Sequence, residues 1–267
     1  MPDNTLHTIT TVLFATIALG CKPPPEAPAE LDDLAGYIYG HHPDEDPAAM
    51  EVGLEALTTW LENNWAEAED GYVISALDEA TVDGVDEVDR GTEDMIGLAV
   101  PTASVYSVDQ AVYAMVGVMC DEVYPEMFVE YERDAFGDTD CFLDRDCDRL
   151  ESREFMESHF LGDLVVSIAQ SYNEYLWVEL DAGWAMVQRN WLETSPEVTG
   201  ALASYIDVDE QFYLNLFLPA ETGFWRLQGT WMIFSQDGVP EDAAMNMAVT
   251  NMTGNSETLD DYLATMD

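Results

Sequence analysis

An acidic loop is the part of this sequence where residue type and spacing most directly suggest chemistry. Asp144, Asp146 and Asp148 alternate along it, which is how the oxygen ligands of a calcium-binding loop begin. Arg149 stands where such a loop needs its turn glycine, and Phe155 stands where it needs a bidentate glutamate. The three aspartates are therefore candidates for a calcium site of nonstandard geometry, and the alternative is a solvated acidic loop that contains its own arginine counter-charges.

Catalytic residues are not indicated by any pattern in the chain. His41, His42 and His159 have no cysteine or histidine at the spacing of metal ligands, so surface or capping roles are favoured for them. The sequence contains no G-x-S-x-G, H-E-x-x-H, C-x-x-C, G-x-G-x-x-G or P-loop pattern. We predict no catalytic residues and no cofactor, and a hydrolase whose site is assembled from distant positions stays open.

The first residues of the chain indicate export. Residues 8–20 form an uncharged, largely apolar run that is too short to cross a bilayer as a helix but suits the centre of a signal peptide. Residues 18–21, Ala-Leu-Gly-Cys, follow directly. This junction resembles the lipobox of bacterial lipoproteins, which implies cleavage before Cys21 and attachment of a membrane anchor to that cysteine.

The lipoprotein resemblance also implies a domain organisation and a location. Residues 1–20 are expected to be a signal peptide, and residues 21–45, which begin with a proline-rich stretch, a lipid-anchored tether. Residues 46–267 are expected to be a single acidic domain. Lys22 is not the aspartate that retains such proteins at the inner membrane, so the resemblance implies the outer membrane, facing the periplasm.

The remaining cysteines, Cys120, Cys141 and Cys147, allow one disulfide in an oxidising compartment. We predict the pair Cys141 and Cys147, because both lie in one polar loop while Cys120 lies in a helical apolar run. A bridge from Cys120 to either of the others stays open, because spacing alone does not decide it.

The charge balance of the chain is extreme. Acidic residues number 54 and basic residues 8, which gives a net charge of −46, while 48% of residues are hydrophobic. The hydrophobic content indicates a folded body, and the acids must then cover its surface. Such a surface disfavours nucleic acid and anionic lipid headgroups as partners. Because the acids are scattered, adaptation to salty surroundings is favoured over a specific cationic partner.

Apolar periodicity predicts helices and strands in separate parts of the chain. Helices are predicted from Asp46 through Trp65, at 108–119, at 153–161, and from Glu241 with a break at Gly254 and Asn255. Strand hairpins are predicted at 176–191 and 211–234. In the second hairpin both alternation phases carry large apolar side chains, which predicts that both sheet faces are partly covered.

The order of strands followed by a C-terminal amphipathic helix resembles the second half of START-like, helix-grip domains. The resemblance covers residues 172–263 and is carried by Gly-Thr-Trp at 229–231, Gly-Val-Pro at 238–240 and the helix that follows. It implies an α+β fold in which a curved antiparallel sheet grips the long C-terminal helix, with further helices at the N-terminus.

The same resemblance implies a hydrophobic cavity between the sheet and the last helix. The candidates to line it are Trp177, Tyr213, Arg226, Trp231, Met245 and Met252. Methionine suits such a cavity because its flexible side chain repacks easily around different shapes, and Arg226 is unusual as a cation in an apolar strand. The alternative is that these side chains fill a solid core.

The sequence therefore favours an exported lipoprotein that binds a hydrophobic molecule, such as a lipid or sterol-like compound. A structural or interaction lipoprotein without a cavity and an unrecognised hydrolase remain the alternatives.

Overall fold

The structure, a computed structural model, describes residues 25–44, 47–68, 71–82, 92, 95–160, 164–201, 203, 206–236 and 241–266. The helices are α1 (Leu31–His41), α2 (Ala48–Ala68), α3 (Glu79–Val82), α4 (Val108–Val112), α5 (Cys120–Val123), α6 (Thr139–Leu143) and α7 (Glu241–Leu263). A π-helical turn (Tyr113–Gly117) follows α4. The strands are β1 (Tyr72–Ile74), β2 (Ile96–Ser104), β3 (Phe128–Ala135), β4 (Arg149–Phe160), β5 (Val165–Leu180), β6 (Gly183–Leu192), β7 (Glu197–Thr199), β8 (Ile206–Pro219) and β9 (Phe224–Gln236).

The strands of the described residues form one curved antiparallel sheet in the order β1-β2-β9-β8-β6-β5-β4-β3, with β7 paired to β5. The expected α+β fold, with a curved antiparallel sheet, a long C-terminal helix and N-terminal helices, is confirmed. Both predicted hairpins are present as β5–β6 and β8–β9. Leu180 pairs with Gly183 across the first turn, and Gly183 has a φ of 134°, which a residue with a side chain rarely adopts.

One face of the sheet, here called the N-terminal face, packs against α1 and α2. Leu214, Leu216, Leu227 and Trp231 point to this face and share one buried cluster with the apolar sides of these two helices. Burial of the apolar side chains in this cluster is the main contribution to the stability of the packing between the sheet and these helices.

The opposite face, here called the C-terminal face, packs against α4, the π-helical turn, α5, α6 and the end of α7. Phe217 and Phe224 point to it and belong to a second buried cluster, together with Leu259 and Leu263 of α7. The prediction that both faces are covered is therefore correct, and it explains why β8 and β9 are apolar in both alternation phases.

The helix predicted at 153–161 is wrong, because residues 153–160 belong to strand β4 and residue 161 lies outside the described residues. Ser152, Glu154 and Ser158 occupy alternate positions of this strand and are buried. Since the inward positions carry polar side chains, the alternation of apolar and polar residues that identifies a strand is missing from the sequence.

Helix α7 continues through Gly254 and Asn255, where a break was predicted. A helix-interior glycine costs only about 1 kcal/mol relative to alanine. Packing of Met252 on one side of this position and Leu259 on the other outweighs that cost.

Helix α1 lies inside residues 21–45, the range assigned to a tether. Leu31, Leu34 and Ile38 are fully buried in the cluster of the N-terminal face. Residues 31–41 are thus part of the folded body rather than of an extended tether. Across the described ranges, none of the helices combines the length and the apolar character needed to span a bilayer.

Candidate functional site

Helix α7 is fixed to the sheet by polar contacts along its middle. Thr102 of β2 donates its hydroxyl to Ser256 Oγ at 2.8 Å, and Ser104 donates to Asp260 Oδ1 at 2.6 Å. Gln228 of β9 donates from Nε2 to the Met252 carbonyl at 2.7 Å. Hydrogen bonds to side chains therefore set the distance between α7 and the sheet at this point.

A cleft of about 300 Å³ opens between this part of α7 and strands β2 and β9. Its apolar lining includes Trp65, Pro101, Phe224 and Leu259. Its polar lining includes Thr102, Ser104, Arg226, Ser256, Glu257 and Asp260. Apolar walls with a few converging polar groups are the usual composition of a small-molecule site.

Arg226 is the buried cation of this cleft, with only 3% of its surface exposed. Its Nε donates to Asn215 Oδ1 at 2.9 Å, its NH1 donates to Ser256 Oγ at 3.3 Å, and the guanidinium lies over the Phe217 ring. Among the residues that the structure describes, no carboxylate lies within ion-pairing distance of it. Its charge is therefore solvated by neutral groups alone.

A chain of buried hydrogen bonds leads from Arg226 across the C-terminal face. Asn215 Nδ2 donates to Gln188 Oε1 at 3.1 Å, and Gln188 Nε2 lies 3.5 Å from the Tyr175 hydroxyl. That hydroxyl donates to Glu154 Oε1 at 3.0 Å. Each amide turns its oxygen towards Arg226, so the dipoles along the chain stabilise the arginine charge.

At the far end of this chain, Glu154 is paired with Arg133, whose Nε donates to Glu154 Oε1 at 2.9 Å. Burial raises the pKa of the Cys120 thiol beside Arg133 to about 11, so the thiol is neutral. Burial likewise raises the pKa of Tyr213, next to Arg226, to about 12. The ionised groups of this polar network are thus two guanidiniums and one carboxylate, a net charge of +1 over the described residues.

The six sequence candidates do not come together at one site. Tyr213 lies on the C-terminal face and donates its hydroxyl to Gln228 Oε1 at 2.7 Å. Trp177 lies on the same face but under α6, where its Nε1 donates to the Phe142 carbonyl at 2.9 Å. Met252 packs against β2, and Met245 is half-buried on α7. Arg226 is the member of the six that lines the cleft.

The expectation that Trp231 faces α7 is wrong. Its ring packs against Tyr39 of α1, with centroids 5.5 Å apart, and its Nε1 donates to the Ser75 carbonyl at 2.8 Å. Trp231 and Arg226 are separated by an odd number of positions in one strand, so their side chains point to opposite faces of the sheet. Trp231 therefore belongs to the core of the N-terminal face.

The polar network is not among the features predicted from the sequence, although the sequence contains a signal for it. Arg226, Gln228 and Thr230 alternate with apolar residues in β9, and Asn215 stands between two leucines in β8. Polar residues at every second position of an apolar strand share one face of the sheet. When both faces of that sheet are covered, these polar side chains must be buried.

Cys141 and Cys147 form a disulfide with Cα atoms 5.3 Å apart, as predicted, and Cys120 is a buried free thiol. Nowhere in the described residues are three or more histidine, cysteine, aspartate or glutamate side chains arranged to hold a metal ion. The placement of Asp144, Asp146 and Asp148 thus lends no support to the calcium prediction. Cys21 and its lipobox lie outside the described residues.

A second and more open cleft, of about 420 Å³, lies beside the disulfide loop. Arg145 lines it, with the guanidinium over the rings of Trp177 and Trp184 and ion-paired with Asp109. Because this cation already has a carboxylate partner, it has less need of a ligand than Arg226 does.

Comparison with known proteins gives similarity in structure alone. No protein-family model matches the chain, and no curated protein sequence matches it significantly. A STAR-related lipid transfer protein fragment from Xanthomonas axonopodis is similar with a TM-score of 0.44 and 11% identity, over 66% of this chain and 97% of that one. Human StAR-related lipid transfer protein 5 is similar with a TM-score of 0.42 and 9% identity, over 79% of this chain and 95% of the other.

A point mutant of norcoclaurine synthase from Thalictrum is similar with a TM-score of 0.34 and 10% identity, over 64% of this chain and 96% of that one. These values are low. The similarity concerns the general layout of the sheet and helices and says nothing about a ligand or an activity of this chain.

Proposed function

We propose that this protein binds a hydrophobic or amphipathic small molecule in the cleft between α7 and strands β2 and β9, without covalent chemistry. The observation that supports this most is the cleft itself, in which apolar walls and a buried, unpaired arginine meet over about 300 Å³. Ser104 and Asp260 are hydrogen-bonded at its edge, but its described lining contains no histidine to act as a base, so the hydrolase alternative has less support.

Filling the cleft tests the proposal. Thr253 lines the cleft on α7, whereas Thr250, one turn earlier, is exposed to solvent. We expect Thr253→Phe to weaken binding of the uncharged fluorescent probe N-phenyl-1-naphthylamine by about tenfold or more, because the added ring occupies the space of the ligand. Thr250→Phe adds the same ring elsewhere and should bind the probe like the unaltered protein.

Native mass spectrometry of the purified full chain, followed by organic extraction, asks which molecule it carries. If neither a co-purified molecule nor probe binding is found, the protein is better described by the alternative of a structural or interaction lipoprotein. Equal probe binding by both phenylalanine variants would place the ligand somewhere other than this cleft.

We further propose that the protein is exported, anchored through a lipid on Cys21, and located at the outer membrane facing the periplasm. Residues 8–21 support this through an apolar run followed by a small residue and a cysteine. We expect Cys21→Ser to abolish labelling by radioactive palmitate. Undiminished labelling of that variant would refute the anchor.

A further inference from the structure

The unpaired cation in the α7 cleft indicates the class of ligand. We propose that the cleft selects an amphipathic molecule with a single negative charge, a carboxylate, whose headgroup binds Arg226 while its apolar part lies against the cleft walls. This inference rests on the function proposed above and adds to it the chemistry of the headgroup.

The donors needed for a carboxylate are present at the base of the cleft. Asn215, Ser256 and the hydroxyls of Tyr124 and Tyr213 accept hydrogen bonds from Arg226, which leaves one of its five donors for a ligand. Ser256 adds a hydroxyl on α7, whereas the Thr102 hydroxyl is already donated to Ser256 Oγ. The two oxygens of a carboxylate can accept from the remaining guanidinium N–H and from the Ser256 hydroxyl, and such charge-assisted hydrogen bonds are about twice as strong as neutral ones.

The charge of the buried polar network, counted without the exposed Glu257 and the half-buried Asp260 of the cleft lining, favours an anion beside Arg226. The polar network that ends at Arg226 contains one more cation than anions over the described residues, as counted above. A buried cation without a counter-charge is unfavourable, and an anionic headgroup would remove that cost. Among the described residues, the groups that contact the Arg226 guanidinium are neutral: an amide, hydroxyls and an aromatic ring.

The surroundings limit the headgroup to a single charge. Glu257 and Asp260 line the same cleft as Arg226, so a doubly charged group such as a phosphate monoester would be repelled. The net charge of −46 also repels anions at long range, but salt screens this over roughly 8 Å at physiological ionic strength. The contact with the buried Arg226 is screened much less.

Three matched ligands test the inference: decanoic acid, decanol and decylamine have the same chain and differ in charge. We expect isothermal titration calorimetry of the full chain to show decanoate binding about tenfold or more tightly than decanol, the size of a charge-assisted hydrogen bond. Decylamine should bind most weakly, because its ammonium group meets Arg226.

Substitutions of Arg226 then test whether its side chain causes the preference for decanoate over decanol. Arg226→Met should make decanoate and decanol bind equally, and Arg226→Lys should keep part of the difference. Arg153→Met, which removes an exposed arginine from a different part of the sheet, should change nothing. Circular dichroism checks that each variant is folded. If Arg226→Met does not fold, Arg226→Lys and the three ligands on the unaltered protein still decide whether the cleft prefers an anion.

The outcomes separate the two proposals. If decanol binds as tightly as decanoate, the charge selection is refuted while the hydrophobic site stands. If none of the three ligands binds, both proposals fail. A preference for decanoate that survives Arg226→Met would show that the anion binds elsewhere.

Discussion

Removing the Arg133 side chain should unfold the protein at markedly lower denaturant. Its NH1 donates to the carbonyls of Val116 at 2.7 Å and Val118 at 3.1 Å, and its NH2 donates to that of Met115 at 2.8 Å. These carbonyls belong to the π-helical turn and its end, where the helix itself leaves acceptors unsatisfied. Arg133 also pairs with Glu154, and each of the two side chains is only 7% exposed.

We expect Arg133→Met to lower the free energy of unfolding by about 3 to 5 kcal/mol, because it leaves Glu154 as an unpaired buried charge. Glu154→Gln should cost less, since the remaining arginine keeps its three carbonyl partners. The double variant should cost less than the sum of the two single variants by at least about 1 kcal/mol, because residues in one network are coupled.

Urea unfolding followed by circular dichroism measures all three free energies. Arg153→Met is the control, because its ion pair with Glu193 is exposed to solvent and should contribute little to the free energy of unfolding. A cost below about 1 kcal/mol for Arg133→Met, or strict additivity in the double variant, would refute the role assigned to this network.

Three further predictions concern other parts of the fold. Burial lowers the pKa of His42, so its ring binds a proton more readily in the unfolded chain than in the folded protein. The free energy of unfolding should therefore fall as the pH drops below about 6.5. This fall should be smaller in His42→Leu than in the unaltered protein. The Cys120 thiol, whose pKa burial raises to about 11, should resist iodoacetamide at neutral pH until urea unfolds the chain, and mass spectrometry would detect early alkylation if the reasoning is wrong. Gly223 has a φ of 79°, and an added Cβ would lie 1.9 Å from the Ser104 carbonyl oxygen, so Gly223→Ala should lower the free energy of unfolding by more than about 1 kcal/mol. Gly254 lies in open space on α7, so Gly254→Ala should raise the free energy of unfolding by up to about 1 kcal/mol. Equal melting temperatures of the two variants would contradict this prediction.

The elements with apolar periodicity were predictable from the sequence. The stripe from Met50 to Trp65 gave α2, and the alternating runs gave the hairpins β5–β6 and β8–β9. The pairing of Cys141 with Cys147 also followed from local context, because both lie in one short polar loop. Local patterns suffice in these cases because each segment buries a face of its own.

The site depended on contacts that local patterns do not contain. Arg226 could be noticed as unusual in its strand, but its partners Asn215 and Ser256 are distant in sequence and meet it through the sheet and α7. Strand β4 was taken for a helix because its inward positions carry Ser152 and Glu154, whose burial depends on Arg133 and Tyr175. Polar side chains can be buried only where partners satisfy them, and the positions of those partners are set by tertiary structure.

The sequence by itself determined the acidic surface, the α+β class and the presence of two covered sheet faces, because composition and periodicity record how much of each segment is buried. Only the tertiary structure decided which layer covers which face. It assigned Trp231 to the α1 side and Arg226 to the α7 side of the sheet. Side chains an odd number of positions apart in one strand point to opposite faces, and the helices that pack on the two faces come from opposite ends of the chain.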